Sequence, residues 1–169
     1  TAGCNLDCKF CQNWEISQTT PEQSFNYDLP PEKVVEMALE YGSRSIASTY
    51  VEPTIFFEYM LAVGKEARRR GILNVMHSNG FIEREPLEAL IPHLDAACID
   101  LKGASEAYYA DMTGGRMAPV LATLKRLKEH GVHTETVTLT IPGRNDSEAD
   151  LRRMCRWVRE ELGEDTPMH

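Results

Sequence analysis

Three cysteines near the start constrain this chain more than any other feature. Cys4, Cys8 and Cys11 sit in Gly3-Cys4-Asn5-Leu6-Asp7-Cys8-Lys9-Phe10-Cys11-Gln12-Asn13-Trp14, with the spacing Cys-x3-Cys-x2-Cys. The other two cysteines, Cys98 and Cys155, lie far along the chain. Three thiolates on one short loop can hold three irons of a 4Fe-4S cluster and leave the fourth without a protein ligand. An electron-transfer ferredoxin fills that position with a fourth cysteine. An iron with an open position can bind a small molecule and do chemistry on it, as an open catalytic zinc does. The rest of the chain is then a scaffold for whatever sits on that iron.

A chain of 169 residues fits one domain. Its 42% hydrophobic and 26% charged residues are those of an ordinary globular protein. No apolar run is long enough to span a bilayer and no signal peptide is visible, so no membrane association is expected. Clustered cysteines without a signal point to a reducing, cytoplasmic setting. The formal charge of −8 argues against a broad nucleic-acid-binding face, which needs basic residues. Arg68-Arg69-Arg70 reads as the last turn of a helix, where cations suit the dipole. Cys98 and Cys155 fall in apolar patterns and are expected to be buried as small hydrophobes. The chain opens on Thr1 and closes on Thr166-Pro167-Met168-His169, which read as cut ends.

The pattern after the cysteine loop is strand and helix in alternation. Glu15 to Leu29 reads as irregular, with a turn of helix starting near Cys11. Pro30-Pro31 opens a helix striped by Val34, Val35, Ala38 and Leu39 and closed by Gly42. Ser45 to Tyr50 is expected to be a short buried strand, followed by a helix from Thr54 to Arg70. Ile72–His77 and Ala96–Asp100 read as strands, with a short helix between them opened by Pro86 and ended by Pro92. Ser105 caps a helix through Met112, and Gly114-Gly115 breaks it. A helix over Pro119–His130 leads to a strand over Val132–Ile141, where apolar residues alternate with threonine. Ser147 and Asp150 resemble a capping box for a last helix striped by Leu151, Met154, Val158 and Leu162. Such alternation requires parallel strands with helical crossovers.

In parallel α/β proteins ligands bind beyond the carboxyl ends of the strands. Each strand here delivers polar groups at that end: Tyr50 and Glu52, then His77, Ser78 and Asn79, then Asp100 and Lys102, then Thr138 and Thr140. Each also has a plainer reading. Asn79-Gly80 is a common turn pair, Asp100 and Lys102 suit a surface ion pair, and Glu52 suits a helix N-terminus. Chance would scatter them, whereas these share one edge, and the cysteine loop falls on the same side.

The loop, with Phe10 just before the third cysteine, resembles the signature of the radical S-adenosylmethionine (SAM) superfamily. Further segments are similar to the activating enzymes of glycyl-radical enzymes such as pyruvate formate-lyase. They are more similar still to the PflA-like radical SAM proteins of the AmmeMemoRadiSam system. These segments are Phe10-Cys11-Gln12-Asn13-Trp14, Ile16-Ser17-Gln18, Tyr50-Val51-Glu52-Pro53-Thr54 and Ser78-Asn79-Gly80-Phe81. Ile99-Asp100-Leu101-Lys102-Gly103, Thr113-Gly114-Gly115 and Ile141-Pro142-Gly143-Arg144-Asn145-Asp146 complete them, in order, along the whole chain.

The resemblance implies an α/β fold, a partial (β/α)6 TIM-like barrel of parallel strands. Residues 1–169 would be its core domain, truncated at both ends, with a first strand before Thr1 and a last strand after His169. It implies that Cys4, Cys8 and Cys11 bind a 4Fe-4S cluster whose fourth iron is chelated by the amino and carboxylate groups of SAM. Glu52 falls on the family's Gly-Gly-Glu motif, which contacts the methionine amino group; Tyr50 and Val51 replace the glycines. Phe10 would contact adenine, flanked by the turn at Ile141 and Gly143. Asp100 and Lys102 would lie near the SAM carboxylate and ribose, with Asn13, Ser78 and Asn79 as further contacts. His77 stands where the activating enzymes carry an aspartate of a monovalent-cation site.

The implied activity is reductive cleavage of SAM to a 5′-deoxyadenosyl radical that abstracts hydrogen from a substrate. It needs a one-electron donor of flavodoxin or ferredoxin type. The substrate is a protein glycine if the chain is an activase; another protein or a small molecule stays equally open. Two readings compete from outside catalysis. One is a structural zinc site completed by His77 or His169, and the other is an electron carrier, which lacks its fourth cysteine.

Overall fold

Four short strands lie side by side in chain order, all parallel, in a computed structural model that describes residues 2–169. They are β1 (Ser45–Ser48), β2 (Leu73–Ser78), β3 (Ala96–Asp100) and β4 (His133–Val137). The register aligns Val75, Ala96 and His133 in one row and, two residues along on the same face, His77, Cys98 and Glu135 in another. Seven α-helices accompany them: α1 (Trp14–Ser17), α2 (Pro31–Glu40), α3 (Phe57–Arg69), α4 (Arg84–Leu90), α5 (Glu106–Met112), α6 (Met117–Glu129) and α7 (Glu148–Glu161). Helices connect each strand to the next, as parallel neighbours require.

The strands are two-sided because side chains alternate across a sheet. Met76, Ala97 and Ile99 point to one face, where they pack with Met60, Leu90, Leu124 and Leu127 from the helices. Val35, Ala67 and Ile72 form a smaller cluster with Ile46 beside β1. The opposite face carries Val75, His77, Cys98, Asp100, Glu135 and Val137, none of them fully buried. One open sheet of four parallel strands with helices on one side matches the expected partial barrel, with this second face as its inside.

The helix signals work as read. Ser105 Oγ accepts from Tyr108 N at 3.2 Å, and Ser147 Oγ accepts from Asp150 N at 3.1 Å. Pro31, Pro86 and Pro119 sit in first turns, where no backbone donor is missed. Several expectations need correction. The irregular stretch holds α1, which starts at Trp14 rather than Cys11, and a 3-10 turn over Pro21–Gln23. β1 is half exposed rather than buried, because it forms an edge of the sheet.

β4 stops at Val137 instead of Ile141. There the Asn145 side chain replaces a strand neighbour, donating to Leu139 O at 3.0 Å and accepting from Ile141 N at 2.7 Å. The last residues do not trail away but pair with β4. Thr136 N donates to Pro167 O, His169 N to Thr136 O and Thr138 N to His169 O, in a parallel bridge centred on Met168. Neither of the two isolated cysteines is core. Cys98 is half-buried on the inner face, and Cys155 is exposed because it falls off the α7 stripe of Met154 and Val158.

Candidate functional site

The cysteine loop crosses the carboxyl ends of the strands because the end of α5 holds it there. Asp7 N donates to Thr113 O at 2.9 Å and Lys9 N to Met112 O at 3.0 Å. Leu6 is buried between these contacts, directly over Gly115, where a Cβ would collide with its Cδ2. The third tie is Gly3 N to Ile16 O, 2.8 Å, which brings α1 back against the start of the loop.

Below the loop lies a cavity of about 400 Å3. Cys4, Cys8 and Cys11 line it, with Phe10 and Asn13 from the same segment. The strand ends supply Glu52, then His77 and Asn79, then Asp100 and Lys102, then Thr138 and Thr140. The sharing of one edge, expected from the sequence, is thus a sharing of one cavity. Ser78 does not line it; its hydroxyl donates to Glu52 Oε1 at 2.7 Å from behind. Ile141 and Gly143 lie just beyond the lining, in a turn closed by Gly143 N on Asp146 Oδ1, while Thr138, Leu139 and Thr140 face the space.

Glu52 is the deepest charged group. It is 1% exposed and accepts from Ser78 Oγ, Asn79 N at 2.8 Å and Thr54 N at 3.1 Å. Burial pushes its carboxyl above the ordinary range, and these donors pull the other way. Tyr50, two residues earlier, has φ of 42°, a left-handed conformation that glycine adopts more readily. Asp100 sits between the Lys102 ammonium and the His77 imidazole, with Lys102 Nζ at 2.7 Å on one oxygen and His77 Nε2 at 3.2 Å on the other. Burial raises the Asp100 carboxyl, but His77 and Lys102 outweigh it and hold it low. Lys102 is raised, because Asp100 more than offsets its own burial. The hydrogen bond to Asp100 likewise raises His77.

The sulfurs differ in their neighbours. Cys4 Sγ accepts from Leu6 N at 3.5 Å and Asn79 Nδ2 at 3.6 Å. Cys11 Sγ lies 3.4 Å from Ser17 Oγ. Burial pushes the Cys8 thiol up to about 11, against the pull of the Lys102 ammonium. Among the described residues no three His, Cys, Asp or Glu side chains converge on one point, as a single ion requires. The thiols are instead spread around a cavity wall, with donors for sulfur and charges of both signs beside them. That donor set fits a multi-iron cluster carrying a zwitterionic ligand. His169, one candidate for completing a zinc site, is engaged elsewhere, 2.9 Å from Glu135 Oε2.

Four residues at the site carry roles that residue type and spacing do not reveal. Ser17 and Gln18 brace the third cysteine, and Asn5 accepts from Asn79 Nδ2 at 2.8 Å. Asn145 donates to Lys102 O at 2.9 Å and so ties the β4 turn to the β3 end. The only sequence signal for Ser17, Gln18 and Asn145 is their place in resembling segments.

A family model described as the radical SAM superfamily matches residues 1–157. An uncharacterised protein of Methanocaldococcus jannaschii is 42% identical over 167 residues, covering 99% of this chain and 49% of that protein. The isethionate sulfite-lyase activating enzyme of Nitratidesulfovibrio vulgaris is 29% identical over 111 residues, covering 64% of this chain and 36% of that enzyme. The chain therefore spans half or less of the length of these two relatives. The structure of Streptococcus suis SuiB bound to S-adenosylmethionine superposes with a TM-score of 0.72 at 16% identity, covering 98% of this chain and 36% of that one. At that identity the likeness speaks for the fold.

Proposed function

The chain belongs to the radical SAM superfamily, whose members bind a 4Fe-4S cluster and SAM, and we propose that it is the catalytic core of a glycyl-radical activating enzyme. When bound, cluster and SAM together supply a 5′-deoxyadenosyl radical that takes a hydrogen atom from the substrate. One observation carries this reading: the Cys-x3-Cys-x2-Cys loop shares a cavity with Glu52 from the end of β1, His77 from that of β2, and Asp100 and Lys102 from that of β3. Cys4, Cys8 and Cys11 hold the cluster. Glu52 Oε2, which accepts from Asn79 N, would take the methionine amino group. Lys102, oriented by Asp100, meets the carboxylate and ribose. Phe10, with Asn13, Asn79, Thr138 and Thr140 of the same lining, would hold the adenine, and Ser78 stands behind Glu52. The turn at Ile141 and Gly143, held by Asn145 and Asp146, would flank the adenine from beyond the lining.

The protein's contribution is positioning, because a primary alkyl radical attacks whatever lies nearest. Residues 1–169 form the core domain of this assignment, in the PflA-like AmmeMemoRadiSam group. Its electron donor is a flavodoxin or ferredoxin, its setting the cytoplasm, and its substrate a protein backbone glycine. A relative from Haemophilus influenzae named as a putative glycyl-radical enzyme activating enzyme, 29% identical over 103 residues, supports the last point. Anaerobic reconstitution of the wild-type chain should give about four irons with sulfide and 5′-deoxyadenosine on reduction with SAM. The Cys8→Ala variant should give neither; full 5′-deoxyadenosine production by it would overturn the assignment. A glycyl radical seen by EPR on a partner protein supports the activase role. Loss of hydrogen from a small molecule, without a protein radical, overturns it.

A further inference from the structure

The three sulfurs are not equivalent, and the difference at Cys11 has a chemical consequence. Ser17 closes α1, is 4% exposed and also lines the cavity. Its Oγ lies 3.4 Å from Cys11 Sγ and accepts from Gln18 Nε2 at 3.3 Å. Gln18 is itself fixed, since the same Nε2 donates to Leu6 O at 3.2 Å inside the cysteine loop. With one lone pair of Ser17 Oγ taken by Gln18, the hydroxyl hydrogen is free for the sulfur. A cysteine that ligates iron is a thiolate and has no proton to give, so in the loaded protein the serine must be the donor.

We infer that Ser17 is a redox-tuning residue, whose hydroxyl donates to the Cys11 thiolate and raises the reduction potential of the cluster. The inference rests on the cluster reading above and concerns this chain's own groups toward it. Reduction adds negative charge to cluster and thiolates, and a donor on sulfur stabilises the more negative state more strongly. Ser17 acts through Cys11 and is a positioning residue. Backbone donors such as Leu6 N cannot be varied by substitution, whereas this side-chain donor can.

The test is an EPR-monitored redox titration of the reconstituted full chain, without SAM, for wild type, Ser17→Ala and Ser17→Thr. Ser17→Ala leaves Gln18 its other acceptor, Leu6 O, so the loop keeps that tie. The expected result is normal iron and sulfide content with a more negative potential. At a fixed poise the reduced-to-oxidised ratio falls by about three- to tenfold, a tenfold change being 59 mV for one electron. Ser17→Thr, which keeps the hydroxyl, should return toward the wild-type value. A loaded Ser17→Ala protein with an unchanged potential overturns the inference and leaves the cluster reading standing. A Ser17→Ala protein that takes no cluster also overturns it, since the hydroxyl would then serve assembly rather than potential. A wild-type chain that takes no cluster overturns the reading beneath.

Discussion

His77, Asp100 and Lys102 form one hydrogen-bonded row at the ends of β2 and β3. A lysine two residues after an aspartate is usually an exposed pair of little consequence. Here Lys102 Nζ is 2.7 Å from Asp100, the lysine side chain is 16% exposed, and His77 approaches the other oxygen. The pH dependence follows from the directions of the shifts. His77 is raised in the folded chain, so its contribution to stability is fully present below the ordinary histidine pKa and is lost as pH rises through the raised value. Asp100 is lowered, so its contribution is present above the ordinary carboxylate pKa and is lost as pH falls through the lowered one. The pair therefore stabilises most between the ordinary aspartate and histidine values. His77→Gln should flatten the alkaline side of the stability profile, read as thermal midpoint against pH. An unaltered alkaline limb in that variant would show that the pair contributes nothing. The spacing of His77 and Asp100 in the sequence hid this contact, because it arises from β2 and β3 lying side by side in parallel.

At the scale of elements, the cysteine loop depends on a helix a hundred residues away. Its two backbone bonds to Met112 and Thr113 need the chain at Gly114-Gly115 to pass closely under Leu6. Gly115→Ala would press a Cβ into a buried leucine, an overpacking cost of about 1–3 kcal/mol. The expected outcome is a lowered thermal midpoint together with weaker cluster loading. Loading at the wild-type level would show that the loop holds its place without the turn. The elements themselves were legible where a physical cause is local. β3 matches its expected bounds, and the caps at Ser105 and Ser147 are where their side chains predict. β4 ends at Val137 rather than Ile141 because the Asn145 side chain takes the backbone groups of Leu139 and Ile141 that a strand neighbour would have used.

For the whole molecule, the site is the place where distant segments meet, so ligand binding should report on global stability. Occupancy at a hundred times Kd adds about 2.7 kcal/mol, or roughly 5–10 °C in thermal midpoint for a domain of this size. SAM should give a shift of that order to the reconstituted protein and little to the Cys8→Ala variant. An equal shift in both would show that SAM binds without the cluster. The sequence by itself determined the clustering of the three cysteines, the alternation of strand and helix and the gathering of polar groups at the strand ends. Those depend on residue type and on periods of two and 3.6, both local properties of a chain. Only the tertiary structure decided that Asp100 lies between Lys102 and His77, that Ser17 reaches Cys11 and that the cysteine loop leans on α5. Each joins groups through sheet register, a buried turn or a side-chain hydrogen bond, and such contacts exist only once the parallel strands have set which ends stand together.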